Sequence, residues 1–487
     1  MHVLDLAVIA AYLVLITWFG ARFKEKQASL KDYFLGGRNA PWWAIAFSIV
    51  SAETSTLTVI GTPALSFAGN FEFLQLILGY LLGRILISVL FLPQYFRGEM
   101  FTAYELMQRR FGPHVRKFTA GTFLILRALA EGVRVFAVSI VVSVVLGTGE
   151  IASIVLIVCL TLFYTFEGGM TAVIWTDVVQ MFLYVGGALA SFFVMLHLVP
   201  GGWPQVIALG SAAHKFRLFD FNFSFTPAFF HKTYSFWGGL LGGCFLTTAS
   251  HGTEQLLVQR LLSARNQRDS RLALFSSWVV VFFQFSLFLL IGVLLYVYYK
   301  LNGLPDPRVP ERTYPEFIWT HLPTGVAGLI IAAILAAAMS NLSAALNALA
   351  STTVMDFFKP LWPRHPEAVY LRLARWATVV WGIVLFTVGL AARHWGSILE
   401  AGLSIASVLY GALLGVFLLG VLTKRPGEWS AIIGMSAGFA ATFFLRAHVA
   451  YTWYVLIGSV ATFLVGYATA LLLPRTVDRH EDKRIAV

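Results

Sequence analysis

Charge is what this 487-residue chain has least of: Asp, Glu, Lys and Arg make up 12% of it, against 58% hydrophobic residues. Soluble globular domains carry about 25% charged residues, so a water-facing fold is excluded. A mean hydropathy of +0.76 makes the bilayer the solvent. Cysteine is nearly absent. The two present, Cys159 and Cys244, sit inside apolar stretches, which argues against a disulfide framework and says nothing of redox compartment. There is no His/Cys cluster at metal-ligand spacing and no pair of acidic motifs facing a headgroup, which weighs against an integral-membrane enzyme. The stretches around 200–233 and 300–323 are too short to be soluble domains, so no extramembrane catalytic module is expected. A net charge of +11 invites a nucleic-acid reading, but the basic residues are spread over short loops, so no nucleic-acid partner is expected.

What the chain has instead is apolar runs of about 20 residues, the length that crosses a bilayer as helix. Thirteen are predicted: 4–21, 42–68, 72–96, 118–147, 150–167, 171–199, 234–262, 274–299, 325–358, 368–391, 396–422, 428–446 and 451–474. Basic residues cluster in alternate loops, as at Arg109, Arg110, Arg116 and Lys117, at Arg260, Arg265, Arg268 and Arg271, and at Arg475 to Arg484. The positive-inside rule then puts the N-terminus outside and the C-terminus in the cytoplasm of a multi-pass cell-membrane protein. The first run has no basic residues ahead of it and no small-residue cleavage site, and is read as a retained helix rather than a signal peptide.

Three runs carry polar residues where hydrocarbon offers them no partner. The run 325–358 has an uncharged face of Ser340, Ser343 and Asn347 at i, i+3 and i+7, with Asn341 beside it. Hydroxyl and amide oxygens in a dry bundle suit a hard cation held reversibly, the chemistry of an ion-coupled transporter. The second run holds Ser48, Ser51, Glu53, Thr54, Ser55, Thr56 and Thr58 before Gly61 and Pro63. The seventh holds Gly238, Gly239, Gly242 and Gly243 ahead of Thr247, Thr248, Ser250, His251, Thr253 and Glu254. Interrupted polar helices at corresponding places point to a midplane site in an inverted-repeat transporter. The competing reading is that small residues simply let helices approach. Counting from the two breaks gives a leading helix and loop at 1–41, repeats at 42–199 and 234–422 separated by an outer loop at 200–233, and two trailing helices with a cytoplasmic tail at 423–487.

Buried charges are weighed in the same way. Asp177 falls about two turns into the sixth run, at a depth it can share with Ser343, and an ionisable residue there is functional by default. Arg127, Glu131 and Arg134 are spaced i, i+4, i+7 and can neutralise one another as a structural network or bind substrate. Arg84 reads as structural, and His251 as a hydrogen-bonded core residue or a proton relay.

The run from Tyr164 and Thr165 through Gly168, Gly169 and Met170, Trp175, Thr176 and Asp177 to Gln180 resembles the signature of the solute:sodium symporter family. So do the loop from Asp32 to Arg38, the pair Gln259 and Arg260, the stretch from Ala337 through Asn347 to Asp356, and the run from Val416 to Gly420. The resemblance covers nearly the whole chain. It implies an all-α, leucine-transporter-like fold of five plus five inverted helices, one leading and two trailing. It implies a sodium site of the Phe47 and Val50 carbonyls with the Ala337 carbonyl and side chains at Ser340 and Asn341. Relatives carry Ser or Thr where Asn341 stands. A second ion in some relatives uses residues matching Asp177, Ser340, Ser343 and Ala344; with alanine there, one sodium is expected and a weak second allowed. The polar side chains that hold galactose in sugar-carrying relatives fall near Thr54, Glu254 and Leu403, where none is kept.

The expected function is therefore sodium-coupled import of a small polar solute, a sugar or polyol or a small carboxylate, by a protein acting as a monomer. Thr54, Glu254, Ser51 and Arg134 are the candidate substrate ligands. The same fold coupled to protons, and a solute-sensing receptor, are the alternatives.

Overall fold

The computed structural model describes residues 3–22, 35–97, 100, 102–164, 170–307, 309–395 and 398–472. Each of the thirteen predicted runs falls on helix, and no strand forms among the described residues. In hydrocarbon every backbone polar group must be satisfied within the protein, and a helix does this locally. Besides short helices such as Ala103–Phe111, Gly202–Ala212 and Pro310–His321, the helices that build the bundle are α1 (Val3–Ala21), α2 (Trp42–Glu53), α3 (Thr56–Ala68), α4 (Leu74–Tyr95), α5 (Pro113–Leu146), α6 (Glu150–Tyr164), α7 (Met170–Leu198) and α8 (Phe236–Gly252). They continue with α9 (Gln255–Leu262), α10 (Gln267–Leu301), α11 (Val326–Thr352), α12 (Glu367–Ala392), α13 (Ile398–Leu422), α14 (Glu428–Leu445) and α15 (Tyr454–Leu472). Among the described residues, eight helices are individually long and apolar enough to cross a membrane, and the bent pair α2/α3 makes a ninth.

Both expected interruptions are present. The amide of Thr54 closes α2 on Val50 O at 2.9 Å, the amides of Thr58 and Val59 open α3 on Ser55 O, and the two halves bend by 63°. Ser and Thr bond to nearby backbone and so compete with continuous helix, which is why the run from Ser51 to Thr58 yields here. In the seventh run Thr253 leaves helical geometry, with its hydroxyl on Ala249 O at 2.7 Å, and α9 restarts from Glu254 O.

The glycines of α8 are used for packing. Gly239 and Gly243 face α4, where a Cβ on Gly243 would come within 2.1 Å of Leu76 O and one on Gly79 within 2.5 Å of Leu240 O. Backbone meets backbone, the small-xxx-small contact of membrane helices. α10 packs along both halves of the first broken helix, α7 against α2 and α11, and α5 against α12 and α13. Asp5 of α1, 3% exposed, accepts the amides of Gly325 and Gly328 at 2.6 and 3.1 Å, so the leading helix caps α11. α14 and α15 pack on α13.

Candidate functional site

The two breaks face each other across a cavity of about 140 Å³ walled also by α5 and α13. Its apolar wall includes Leu57, Phe73, Leu126, Phe285, Leu399 and Leu403; its polar wall is Glu53, Ser55, Thr58, Arg127, Arg134, Ser250, His251, Glu254 and Tyr410.

The charges on that wall are arranged in two networks. Glu254, 2% exposed at the α8/α9 break, takes Arg127 at 2.9 Å and the hydroxyl of Tyr410 from α13. Arg127 also meets Glu131 at 2.6 Å, and Arg134 pairs with the same Glu131 from the other side. Across the cavity, Glu53 at the end of α2 pairs with Arg84 at 2.8 Å and His251 at 2.9 Å, and Ser250 meets the other ring nitrogen of that histidine. Three carboxylates (Glu53, Glu131, Glu254) thus face three guanidinium groups (Arg84, Arg127, Arg134). With His251 neutral their sum is zero. Arg134 has the fewest charge partners: it only shares Glu131, whereas Arg127 has Glu254 as well, and its Nε, like that of Arg127, is buried without a hydrogen-bond partner.

Beside Arg134 lies a void about the size of one water molecule, lined by Ser55, Thr56, Glu131, Arg134, Ala338, Asn341 and Leu342. The Asn341 Nδ2 and the Thr56 hydroxyl are buried without partners. Both lie where α3 begins, the end of a helix that presents free amides to negative charge.

The remaining expected site residues separate into groups. Glu254 and Arg134 line the cavity; Thr54 and Ser51, the other two candidate substrate ligands, do not. Thr54 accepts Gln284 Nε2 of α10 at 2.6 Å, and Thr54 and Ser51 both lie beside the Tyr184 hydroxyl of α7. Asp177 is 1% exposed and accepts Arg260 at 2.9 Å and the Ser48 hydroxyl at 2.6 Å, with Arg260 also donating to Ser48 at 2.9 Å. Arg260, counted from the sequence among cytoplasmic loop residues, is instead 1% exposed inside the bundle. Of the expected sodium ligands, the Val50 carbonyl sits at the first break, Phe47 is one turn earlier on α2, and Asn341 and Ser343 lie on α11. The side chains of Ala337 and Ser340, and residues 165–169 of the signature run, lie outside the described residues.

Three contributors were not singled out from sequence. Tyr410, Gln284 and the role of Arg260 each depend on which helices meet, and the only signal was a polar tip in an otherwise apolar helix. Such a tip reads equally well as a core residue.

Comparison with known proteins is consistent with this geometry. The model of the sodium:solute symporter family matches residues 33–438. The sodium/sialic acid symporter NanT of Aliivibrio fischeri is 28% identical over 98% of this chain and 95% of its own. The human sodium/iodide cotransporter is 29% identical over 90% of this chain and 68% of its own. The bovine sodium-coupled monocarboxylate transporter 2 is 27% identical over 91% and 72%. Among solved structures, a substrate-bound, outward-open Na+-coupled sialic acid symporter superposes with a TM-score of 0.87 at 27% identity, covering 97% of this chain and 99% of that one. Mhp1, a nucleobase-cation-symport-1 family transporter, shares the fold at a TM-score of 0.58 and 13% identity over 93% and 98%. The architecture is the leucine-transporter-like one that the resemblance implied.

Proposed function

Since this chain belongs to the sodium:solute symporter family and takes sodium as its coupling ion, we propose that its cargo is a small organic anion, a monocarboxylate of a few carbons. The observation that carries this is Arg134: a guanidinium on the cavity wall with a buried, unpartnered Nε and only a shared carboxylate. The charge balance supports it. The wall already sums to zero, so one sodium entering alone leaves an uncompensated charge in low dielectric, which is costly. A carboxylate entering with it restores neutrality. Asn341 Nδ2, the Thr56 hydroxyl and the start of α3 supply further donors on the same side. The three relatives named above carry sialic acid, iodide and monocarboxylates, all anions. Size narrows the class, because a cavity of about 140 Å³ is close to the roughly 150 Å³ that holds benzene.

In this reading sodium sits between the Phe47 and Val50 carbonyls and the α11 residues Ala337, Ser340 and Asn341, and Asp177 stays with Arg260 rather than holding a second ion with Ser343. Glu254 orders Arg127 and Tyr410 under the cargo. The cargo is imported by a monomer with its N-terminus outside and its C-terminus in the cytoplasm. The two broken helices rock against α5 and α11 to open the site alternately to each side, within repeats spanning 42–199 and 234–422.

The test is uptake into proteoliposomes from a panel of small monocarboxylates and neutral polyols of equal size, under a sodium or a potassium gradient. Sodium-driven uptake of at least one monocarboxylate and of no polyol is expected. Sodium-driven polyol uptake with no carboxylate uptake overturns the anion assignment.

A further inference from the structure

Between Lys215 and Pro227 the chain reads Phe216-Arg-Leu-Phe219-Asp-Phe221-Asn-Phe223-Ser-Phe225-Thr, with phenylalanine at every second position from 219 to 225. In extended chain that period puts all four rings on one side. Of the polar residues between them, Asp220 holds the backbone down, while Asn222 and Ser224 are exposed. Asp220 is 4% exposed; its amide donates to Gln75 Oε1 at 3.0 Å, its carbonyl accepts the amide of Phe236 at 2.9 Å, and its carboxylate takes Arg217 and Lys232. The rings consequently point outward: Phe219, Phe221, Phe223 and Phe225 are 39, 61, 56 and 83% exposed. A loop in water gains nothing from four such rings, and a contiguous apolar patch of this kind marks an interaction surface.

The patch is continuous with the lipid-facing side of the bundle. Phe221 packs on Phe236 with ring centroids 4.8 Å apart, and Phe223 on Trp237 at 5.9 Å, both at the first turn of α8. One turn further along α8, on the same face as the 37% exposed Trp237, is Leu241 at 39%. Phe223 also meets Phe229, which packs on Trp453 at the start of α15. The ring row therefore extends the exposed face of α8 and packs, through the buried Phe229 and Trp453, on the start of α15, at the level where these apolar runs end, the depth that aromatic side chains prefer.

We propose that residues 219–225 form a lipid-anchoring ridge that dips its phenylalanines into the headgroup and acyl boundary of the bilayer, at the end of the bundle where α8 and α15 begin. The ridge holds the 200–233 connection flat against the membrane, and through Asp220 and Gln75 it fixes the end of α4 where the helix meets the surface. Its occupant is lipid, not a protein partner, because the patch continues the exposed apolar face of α8 through Phe236, Trp237 and Leu241.

The test attaches an environment-sensitive fluorophore to Phe223→Cys and, separately, Phe225→Cys in a Cys159→Ala background, Cys244 being buried. An Asp306→Cys reference uses a side chain 71% exposed in another loop. In proteoliposomes at high lipid-to-protein ratio, labels at 223 and 225 are expected to be quenched several-fold more by brominated phospholipid than the label at 306, and protected from acrylamide. If the 223 variant fails to fold, the 225 variant, at the most exposed ring, gives the same readout. Acrylamide access equal to that at 306 overturns the ridge. So does protection that appears only at high protein density together with a dimer, which would assign the patch to a second copy of the chain.

Discussion

The two helix breaks are matched in composition and opposite in use. At the first, Thr54 turns away from the cavity to Gln284, and the carboxylate just before it, Glu53, is held by Arg84 and His251 within the neighbouring helices α4 and α8. At the second, Glu254 points into the cavity and reaches across it to Arg127 of α5 and Tyr410 of α13. The first break is tied to α4 and to the second broken helix itself; the second reaches the remaining walls, α5 and α13. The difference teaches that two carboxylates at interrupted helices, both on the cavity wall, can serve different contacts. Glu53 holds the two breaks together, whereas Glu254 joins the second break to the helix that carries Arg134.

The largest effect expected from breaking this contrast is at Glu254. Glu254→Leu leaves Arg127 short of a buried partner and is expected to lower stability by about 3–5 kcal/mol, read as a fall in the unfolding midpoint in detergent. The double variant Glu254→Leu with Arg127→Met removes both charges and is expected to recover most of that loss. A double variant as unstable as the single one would mean that the pair does not act as a unit.

Next is Arg134. Arg134→Gln is expected to weaken binding of the carboxylate cargo tenfold or more, about 1.4 kcal/mol, while sodium affinity at saturating cargo stays within a factor of three. Equal losses for both ligands would make Arg134 structural. Ser340→Ala is expected to do the reverse and cost about tenfold in sodium affinity, checked by sodium-dependent thermal shift.

At the first break, Thr54→Ala removes one buried hydrogen bond and is expected to cost about 1 kcal/mol of stability, with cargo affinity within twofold of wild type by equilibrium binding. A tenfold loss of affinity would place Thr54 in the site.

The smallest effect lies outside the membrane-spanning helices. Burial pushes the Asp220 carboxyl up, but the hydrogen bond and charge of Lys232, with Arg217, outweigh it and hold the group below the ordinary value of 3.8. A lowered carboxyl contributes stability above its unfolded pKa and loses it as the pH falls through the folded one. The unfolding midpoints of wild type and Asp220→Asn are expected to differ at pH 6 and to converge as the pH drops below about 3.8.

Much of this was legible in the sequence. Apolar run length located the membrane-length helices, because the bilayer requires it, but not the short helices Ala103–Phe111, Gly202–Ala212 and Pro310–His321, and polar Ser/Thr runs located both breaks. Glu254 and Arg134, candidate substrate ligands from the sequence because a charge at that depth has few uses, both line the cavity. Charge pairing between helices was not. Asp177 and Arg260 are 83 residues apart in sequence and meet only because α7, α9 and the base of α2 converge. An arginine near a helix end reads as a cytoplasmic anchor until that convergence is known. Thr54 faced Gln284 and not the cavity for a related reason: a 63° bend rotates the residues of a break away from the face that helical periodicity assigns them.

The central claim is that the cavity's own charges cancel, so that sodium must be accompanied by an anion. Measuring sodium and cargo flux together in proteoliposomes clamped at different membrane potentials tests it most directly. One sodium per monovalent carboxylate, at a rate unaffected by potential, is the result predicted. Net inward movement of positive charge with each cargo molecule would contradict it, because either the cargo would be neutral or a second sodium would have displaced Arg260 from Asp177.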